Sequence, residues 1–334
     1  MVQKRKFALL GTGFIGQVHA KNLAAHPDIE LVMVADQDRS RADEIARRYG
    51  ARVGTVTEAI NSDAIDTILI ATSTPSHAEF LAASAAAGKA VYCEKPIDLS
   101  LEKARRVVDE VARHPVPVTV GFNRRFDPSH NQLKQHLQQG LIGQAELIQM
   151  VCRASELPPL SYLQTSGGQM RDQAIHFFDL LRWLTEDEVD TIGAMGSALA
   201  MPEIASFGDV DTSVLMMKMR SGALAQLDNT RRTGYGYDER ITVLGSKGMS
   251  DSAAQSPQGA TLYSTGGISR PPLYADWFNR VKETYYLHLD AFVRSLNGEA
   301  VSVPGLHDGL QAQAIAEAAV KSLETGTFCR VELL

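Results

Sequence analysis

The stretch GGQMRDQAIHFFDLLRWL, residues 167–184, brings two carboxylates and an imidazole close together. If it forms one α-helix, successive residues turn by about 100°, so Asp172, His176 and Asp179 share one narrow stripe. Ala174, Phe177, Leu181 and Leu184 then lie on the other side. Such a helix buries one face and directs two carboxylates and an imidazole towards a ligand, and the unperturbed pKa of the imidazole lies near neutral pH. An ordinary (i, i+4) pair of Asp172 and His176 on a solvated face explains the pattern equally well.

Three glycines near the N-terminus have the spacing of a dinucleotide-binding turn. The apolar segment KFALL runs into GTGFIG and then into the helix-like QVHAKNLAAH, so Gly11, Gly13 and Gly16 fit G-x-G-x-x-G between a strand and a helix. Glycine there permits the tight turn, the approach of a pyrophosphate and close helix–strand packing. The phosphates would lie at the helix N-terminus, which favours anions. Phe14 and Ile15 lie within the turn and are predicted to contact the cofactor with the glycines.

A carboxylate at the end of the second apolar segment, ELVMVAD, indicates which dinucleotide is bound. Asp36 follows the glycines by about twenty residues, where an acidic group accepts the ribose hydroxyls of NAD and repels the 2′-phosphate of NADP. Gln37 is predicted to lie beside it at the cofactor. Arg39 and Arg41 leave an alternative open, because either could pair with a phosphate, although a solvated helix start explains both. We expect NAD as the cofactor.

The elements that must position these groups alternate along the first third of the chain. Strand-like DTILIAT, KAVYC and VPVTVGF are separated by helix-like SHAEFLAASAAAG and LEKARRVVDEVARH. This alternation predicts a parallel, doubly wound sheet, in which ligands bind at the carboxyl ends of the strands. The residues expected to contact the cofactor there are Thr72, Ser73, Thr74, His77, Glu94 and Lys95. His77 could equally cap the helix that it begins.

The second part of the chain changes character after Phe126. Its extended segments AELIQMVCRA, VDTIGAMGSAL, TSVLMMKM, ALAQLDNTRR and RITVLGS predict an antiparallel sheet, and two helices close the chain near 276–297 and 306–325. We therefore predict an α/β protein. A doubly wound Rossmann domain would occupy residues 1–122, and an α+β domain with a mainly antiparallel sheet would occupy residues 123–334.

Composition excludes several classes of protein. The 334 residues suggest about two domains, and the net charge of −6 gives no basic footprint for nucleic acid. The apolar runs are too short to span a bilayer, and the basic N-terminal start has no cleavage site, so we expect a cytoplasmic protein without a membrane partner. Cys93, Cys152 and Cys329 form no metal-binding or disulfide pattern, and no metal is expected. Cys93 is expected to be a buried strand residue rather than a nucleophile.

The order of GTGFIG, EKP and GG-x3-D-x3-H-x2-D resembles the Gfo/Idh/MocA oxidoreductases over essentially the whole chain. Within that family, GFNRRFDP, SGGQMRD and RRTGYGYDERITVLGSKGM look most like the inositol dehydrogenases. The resemblance implies a large open-faced C-terminal sheet and assembly through it into a homotetramer or homodimer. It also implies NAD-dependent oxidation of a secondary hydroxyl of a cyclic polyol, myo- or scyllo-inositol, to the ketone. A pyranose dehydrogenase of the same family and a non-catalytic nucleotide-binding regulator are the alternatives.

The resemblance also implies roles for individual residues. Lys95 matches the lysine of EKP, which lies near the nicotinamide and hydrogen-bonds the substrate, and Pro96 is often cis in the family. Asp172 and His176 match the catalytic carboxylate and histidine. His176 would accept the hydroxyl proton as general base, while Asp172 would orient it or bind a neighbouring hydroxyl. The residues expected to bind the remaining hydroxyls are Arg125, Tyr235 and Tyr237.

Two departures from the family pattern leave the exact polyol open. Phe178 stands in IHFFD where the inositol enzymes often have an acidic residue, and CRASELPP, residues 152–159, replaces a more polar segment. Asp179 is expected to be a helix-face or domain-contact residue rather than a catalyst.

Overall fold

The computed structural model describes residues 4–334, which form two units. The first unit contains the described residues up to Asn123 with Glu283–Gln311 and Leu334, and the second contains Arg124–Lys282 and Ala312–Leu333. The first three residues of the predicted 1–122 domain lie outside the described part of the chain.

The second predicted domain is not continuous. The sequence placed all of residues 123–334 together, whereas residues 283–311 cluster with the first unit. The reason is apolar packing, because Leu289, Phe292 and Val293 belong to the buried core cluster of that unit.

The first unit contains a six-stranded sheet with helices between its strands. Its strands are β1 (Arg5–Leu10), β2 (Ile29–Ala35), β3 (Arg52–Val53), β4 (Thr67–Ile70), β5 (Ala90–Cys93) and β6 (Val118–Val120). Its first five helices are α1 (Phe14–Ala25), α2 (Arg39–Tyr49), α3 (Val56–Asn61), α4 (His77–Ala86) and α5 (Leu101–Val111). The strand order is β3-β2-β1-β4-β5-β6 and every pair is parallel. This is the strand order of dinucleotide-binding folds, so the predicted fold class is confirmed for this unit.

Local sequence signals explain where the elements of this unit begin. Asp38 caps α2 by accepting the backbone N–H groups of Ser40 and Arg41. Thr55 and Glu58 form a reciprocal capping box at α3. The central strands β4 and β5 are buried at every position, as expected for a parallel sheet that is covered on both faces.

The second unit contains a seven-stranded mixed sheet and a separate two-stranded hairpin. Its helices α6, α7 and α8 span Pro128–Gln138, Leu160–Leu163 and Ile175–Thr185. Its strands are β7 (Ala145–Arg153), β8 (Val189–Ser197), β9 (Thr212–Met219), β10 (Leu224–Thr230), β11 (Asp238–Gly245), β12 (Gly248–Asp251), β13 (Leu262–Ser264), β14 (Gly267–Ser269) and β15 (Cys329–Arg330). The order of the large sheet is β12-β11-β7-β10-β9-β8-β15, and only β7 and β10 pair in parallel. The predicted, mainly antiparallel sheet is confirmed.

Two long helices close the chain, α9 (Trp277–Leu296) and α10 (Leu306–Thr325), within one residue of the predicted bounds. Among the described residues, no helix combines the length and the hydropathy needed to cross a bilayer.

The large sheet of the second unit buries only one of its faces. Along β9, Leu215, Met217 and Met219 are buried while Val214 and Met216 between them are exposed. This alternation has the period of two that a half-covered strand requires. The second unit therefore presents an open sheet face that carries apolar side chains.

Candidate active site

The glycine turn after β1 is shaped by two glycines with no room for a side chain and one with ample room. Gly11 has a φ of +93°, and an added Cβ would lie 2.4 Å from the Ala71 carbonyl oxygen. A Cβ on Gly16 would lie 2.1 Å from the carbonyl oxygen of Gly11. A Cβ on Gly13 would meet no described atom within 4 Å. The fold therefore requires glycine at Gly11 and Gly16, while at Gly13 an added side chain would enter open space.

This turn fits the pyrophosphate of a dinucleotide. Helix α1 begins after Gly13 with no side-chain cap hydrogen bond and no acidic residue in its first turn. An uncapped helix N-terminus favours an anion through its N–H groups and its dipole. Phe14 is largely exposed and Ile15 half-buried beside the turn. The turn therefore has the features that the glycine spacing predicted, and its contact with the cofactor stays a prediction.

The carboxylate of Asp36, directly after β2, is ionised and accepts several hydrogen bonds. Its Oδ2 accepts hydrogen bonds from the backbone N–H and the hydroxyl of Thr12, at 2.6 and 2.7 Å, and its Oδ1 accepts from the N–H of Asp38 at 2.8 Å. Burial raises the pKa of Asp36, but these hydrogen bonds and the Arg41 charge outweigh burial and lower the pKa below 3.8. An ionised carboxylate here suits ribose hydroxyls and repels a phosphate.

Arg39 and Arg41, which left NADP open as an alternative cofactor, differ in their surroundings. The Arg41 Nε is 3.0 Å from Asp38 and its Nη2 is 3.4 Å from Asp36. Arg39 and Gln37 are exposed at the start of α2. Arg41 is thus engaged by carboxylates, which weakens the NADP alternative.

His77 lies between two of the loops that follow the strands. The ring is buried, with Nδ1 2.8 Å from the Pro96 carbonyl oxygen and Nε2 3.0 Å from that of Thr72. Thr72 also accepts a hydrogen bond from Ser76, while Ser73 is exposed and Thr74 begins a short 3₁₀ turn. His77 therefore ties two backbone segments together, and its role as a cofactor ligand stays a prediction.

The EKP segment after β5 is fixed by a buried histidine that sequence reasoning did not select. The Glu94 Oε1 lies 2.7 Å from His19 Nε2, and Oε2 accepts from the backbone N–H of Lys95 at 3.3 Å. A Cβ on Gly121 would lie 2.6 Å from the same Oε2, so glycine makes room for this carboxylate. The Lys95–Pro96 peptide bond is cis, as the family resemblance implied. The Lys95 side chain therefore extends from a segment whose backbone N–H is hydrogen-bonded to Glu94, and the Glu94 side chain is itself fixed by His19.

The opening segment, predicted as one helix over 167–184, is a π-helical turn at Met170–Ala174 followed by α8. Such π turns often occur at functional sites. The preceding Gln169 anchors it, since its N–H donates to Asp209 Oδ1 at 2.8 Å and its side chain bonds to the Asp211 carbonyl and the Ser213 hydroxyl. The SGGQ motif, residues 166–169, therefore fixes the start of the candidate catalytic helix through Gln169, and we call it the SGGQ clamp.

Asp172 lies in the π turn, and both of its carboxylate oxygens accept hydrogen bonds. The Tyr162 hydroxyl donates to Oδ1 at 2.8 Å, and the Arg231 Nη1 donates to Oδ2 at 3.1 Å. His176 follows in the first turn of α8 and is half-buried. Sequence reasoning selected neither partner: Tyr162 lies in α7, ten residues before Asp172, and Arg231 lies 59 residues after it.

The expectation that Asp179 is directed towards a ligand together with Asp172 and His176 is wrong. Asp179 is fully buried and pairs with Arg125, whose Nε and Nη2 donate to it at 2.8 and 2.5 Å. A bidentate guanidinium satisfies the carboxylate and so allows its burial. Arg125 as a substrate ligand stays a prediction, but this pairing favours a supporting role for it.

The two predicted tyrosine ligands lie in different surroundings. Tyr237 is buried and donates to Glu239 Oε2 at 2.7 Å, beside Arg124. Burial and the Glu239 charge raise the pKa of Tyr237 well above 10.0. Tyr235 is half-exposed, and its hydroxyl bonds to Arg153 and Asp238. Both tyrosines as substrate ligands stay predictions.

The cysteines carry no chemistry in this site. Cys93, Cys152 and Cys329 are buried free thiols, which confirms the expectation for Cys93. Burial and the Glu239 charge raise the pKa of Cys152 to about 12, and burial likewise raises the pKa of Cys93. Neither thiol is therefore a thiolate at neutral pH.

Family models match both units of the chain. Residues 5–122 match the model described as "Oxidoreductase family, NAD-binding Rossmann fold", and residues 130–250 match the "GFO/IDH/MocA C-terminal domain". The glycine turn and Asp36 lie in the first match, and Asp172 and His176 lie in the second.

Full-length relatives agree with these matches. The chain is 39% identical to an inositol 2-dehydrogenase of Rhizobium meliloti (strain 1021), over 95% of this chain and 96% of the relative. It is 36% identical to a myo-inositol 2-dehydrogenase of Thermotoga maritima, over 98% of each. It also superposes, with a TM-score of 0.90 and 27% identity, on the scyllo-inositol dehydrogenase of Lactobacillus casei with bound NAD(H) and scyllo-inositol, covering 98% of this chain and 99% of that one. The protein is therefore a member of the Gfo/Idh/MocA oxidoreductase family, with an NAD-binding Rossmann domain.

Proposed function

We propose that this protein oxidises a secondary hydroxyl of a cyclic polyol, myo- or scyllo-inositol, to the ketone with NAD. The observation that supports the proposal is the segment that carries Asp172 and His176, whose start is fixed by the Gln169 hydrogen bond to Asp209 and whose carboxylate accepts a hydrogen bond from Arg231. The full-length similarity to inositol 2-dehydrogenases supports the substrate class. Because a polyol offers only hydroxyl groups, its pocket must supply many polar partners, and hydroxyl stereochemistry can be selected strongly.

In the proposed reaction, His176 accepts the hydroxyl proton of the carbon that is oxidised. NAD, when bound, supplies the acceptor for the hydride from that carbon. Asp172 orients the imidazole and stabilises its cation, and Lys95 donates to the reacting oxygen and favours its developing negative charge. Gly11, Gly13 and Gly16 would hold the pyrophosphate of the cofactor, and Asp36 its ribose.

The test is NADH formation, followed by absorbance, with purified protein, NAD and a panel of inositol epimers and pyranoses. We expect turnover with myo- or scyllo-inositol and much less with glucose. Strong turnover of glucose without any inositol oxidation would replace the substrate by a pyranose. No turnover of any member, with normal NAD binding, would favour a nucleotide-binding regulator.

We further propose that the chain assembles into a homotetramer or homodimer through the open sheet face. Four residues on three neighbouring strands, Met195, Val214, Met216 and Leu224, are more than half exposed there. A contiguous apolar patch of this kind marks an interaction surface. The sedimentation coefficient of Met216→Glu should shift towards that of the monomer, because the new charge would be buried on assembly. Leu141→Glu, also at an exposed apolar residue but outside the sheet, is the control and should sediment as the wild type does.

A cytoplasmic location is also proposed, since all three cysteines are buried thiols, as is usual in reducing compartments. Recovery of the inositol-oxidising activity in the cytosolic fraction of source cells would support it, and recovery in an extracellular fraction would contradict it.

A further inference from the structure

Arg231 directly follows β10 and is buried against the candidate catalytic carboxylate. It is 3% exposed, and its Nη1 donates to Asp172 Oδ2 at 3.1 Å. Its backbone N–H donates to the Asp211 carbonyl at 2.8 Å, and the same carbonyl accepts a hydrogen bond from the Gln169 side chain. Within residues 4–334, its Nε and Nη2 are buried and have no hydrogen-bond partner.

We propose that Arg231 is a positioning residue that keeps Asp172 ionised and fixed in orientation for proton transfer. This inference rests on the proposed function, because it assigns Asp172 a part in that reaction. A buried guanidinium with two unsatisfied nitrogens is costly for folding alone. Its charge also acts on Asp172 with little screening, because both side chains are largely removed from water. A cation next to a carboxylate favours the charged form of the carboxylate.

Two side chains of the second unit hydrogen-bond to Asp172, and a third, His176, follows it by four residues. Arg231 approaches Oδ2 from the end of β10, Tyr162 donates to Oδ1 from α7, and His176 follows in the first turn of α8. The Tyr162 and Arg231 hydrogen bonds fix the carboxylate from two sides. An ionised and fixed Asp172 can accept a hydrogen bond from the imidazole or from a substrate hydroxyl, but it cannot donate one.

The chain provides a matched control in the next residue. Arg232 has the same side chain, but it is exposed and has no ion pair with a carboxylate among the described residues. Arg231→Gln and Arg232→Gln therefore change the net charge equally. Only the first removes the cation that contacts Asp172.

A titration without substrate tests the inference directly. In protein labelled with ¹³C at the aspartate side-chain carboxyl, the Asp172 signal is assigned by its loss in Asp172→Asn. We expect this signal to titrate at higher pH in Arg231→Gln than in the wild type, and at the wild-type pH in Arg232→Gln. Arg231→Met, which also lacks the charge, repeats the test if the glutamine variant does not fold. Equal titration in the wild type and the Arg231 variant would overturn the inference.

Turnover then tests whether this state of Asp172 matters for the reaction. Arg231→Gln should lower kcat by about tenfold to a hundredfold, the scale of a misplaced catalytic group, and should move the acid limb of its pH profile to higher pH. The double variant with Asp172→Asn should be no slower than Asp172→Asn alone. Additive losses would show that Arg231 does not act through Asp172. If the wild type oxidises no polyol, the proposed function fails, while the ¹³C titration still decides the role of Arg231.

Discussion

The glycine turn of the first unit and the π turn of the second serve their proposed roles by opposite means. Between Gly11 and Gly16 the function depends on backbone groups and on the absence of side chains. Around Asp172 it depends on side chains that are held by Tyr162 and Arg231. A backbone site is specified locally by residue type and spacing, whereas a side-chain site depends on partners that the fold brings from elsewhere.

The comparison predicts its largest effect for the side-chain site. His176→Ala should lower turnover by about 10² or more, the usual scale of general-base catalysis. Activity should also fall as the pH drops, because a protonated imidazole cannot accept the hydroxyl proton. Asp172→Asn should reduce turnover as well, and the double variant should be little slower than the poorer single variant. Steady-state rates with an inositol check this, and normal rates in both single variants would reduce the pair to an ordinary helix contact.

The second-largest effect is expected for Lys95, which combines the two kinds of site because its side chain extends from a segment with a fixed backbone. Lys95→Ala should lose most turnover while NAD binding largely survives, since Glu94 and His19 fix the segment independently of the lysine side chain. Calorimetric NAD titration beside initial rates would separate the two effects. Near-normal turnover would make Lys95 a structural residue.

The backbone site should respond to volume rather than to chemistry. Gly13→Ala should fold with an unchanged melting temperature but bind NAD at least about tenfold more weakly, because the methyl group enters only the space predicted for the pyrophosphate. Gly11→Ala should instead destabilise the fold, since its Cβ meets the Ala71 carbonyl and its φ is positive. Thermal melts and NAD titrations of both variants test this contrast. Unchanged NAD affinity in Gly13→Ala would remove the pyrophosphate from the turn.

The smallest expected effect is a change in cofactor preference. Asp36→Ala should weaken NAD and reduce discrimination against NADP, because the repulsion of a 2′-phosphate is lost. The ratio of kcat/KM for the two cofactors measures this. If the native protein prefers NADP, Arg39 or Arg41 dominates and the assignment of Asp36 is wrong.

Much of the first unit could be predicted from the sequence because its signals are local. Alternating strands and helices, the glycine spacing and Asp36 each lie within a short segment, and the parallel sheet follows from them. The return of residues 283–311 to this unit could not be predicted, because it depends on which apolar surface Phe292 covers. The parallel pairing of β7 with β10 is likewise a non-local choice within a series of similar strands.

The sequence by itself determined the candidate functional groups of this protein: three glycines, a lysine after a strand, and a carboxylate and an imidazole four residues apart. Only the tertiary structure decided which polar side chains are hydrogen-bonded and which groups are their partners. It buried Asp179 with Arg125, gave His77 two carbonyl partners, and set Arg231 against Asp172. The physical reason is that a buried polar group must find its partner in space, and a partner many residues away in the chain leaves no spacing to read.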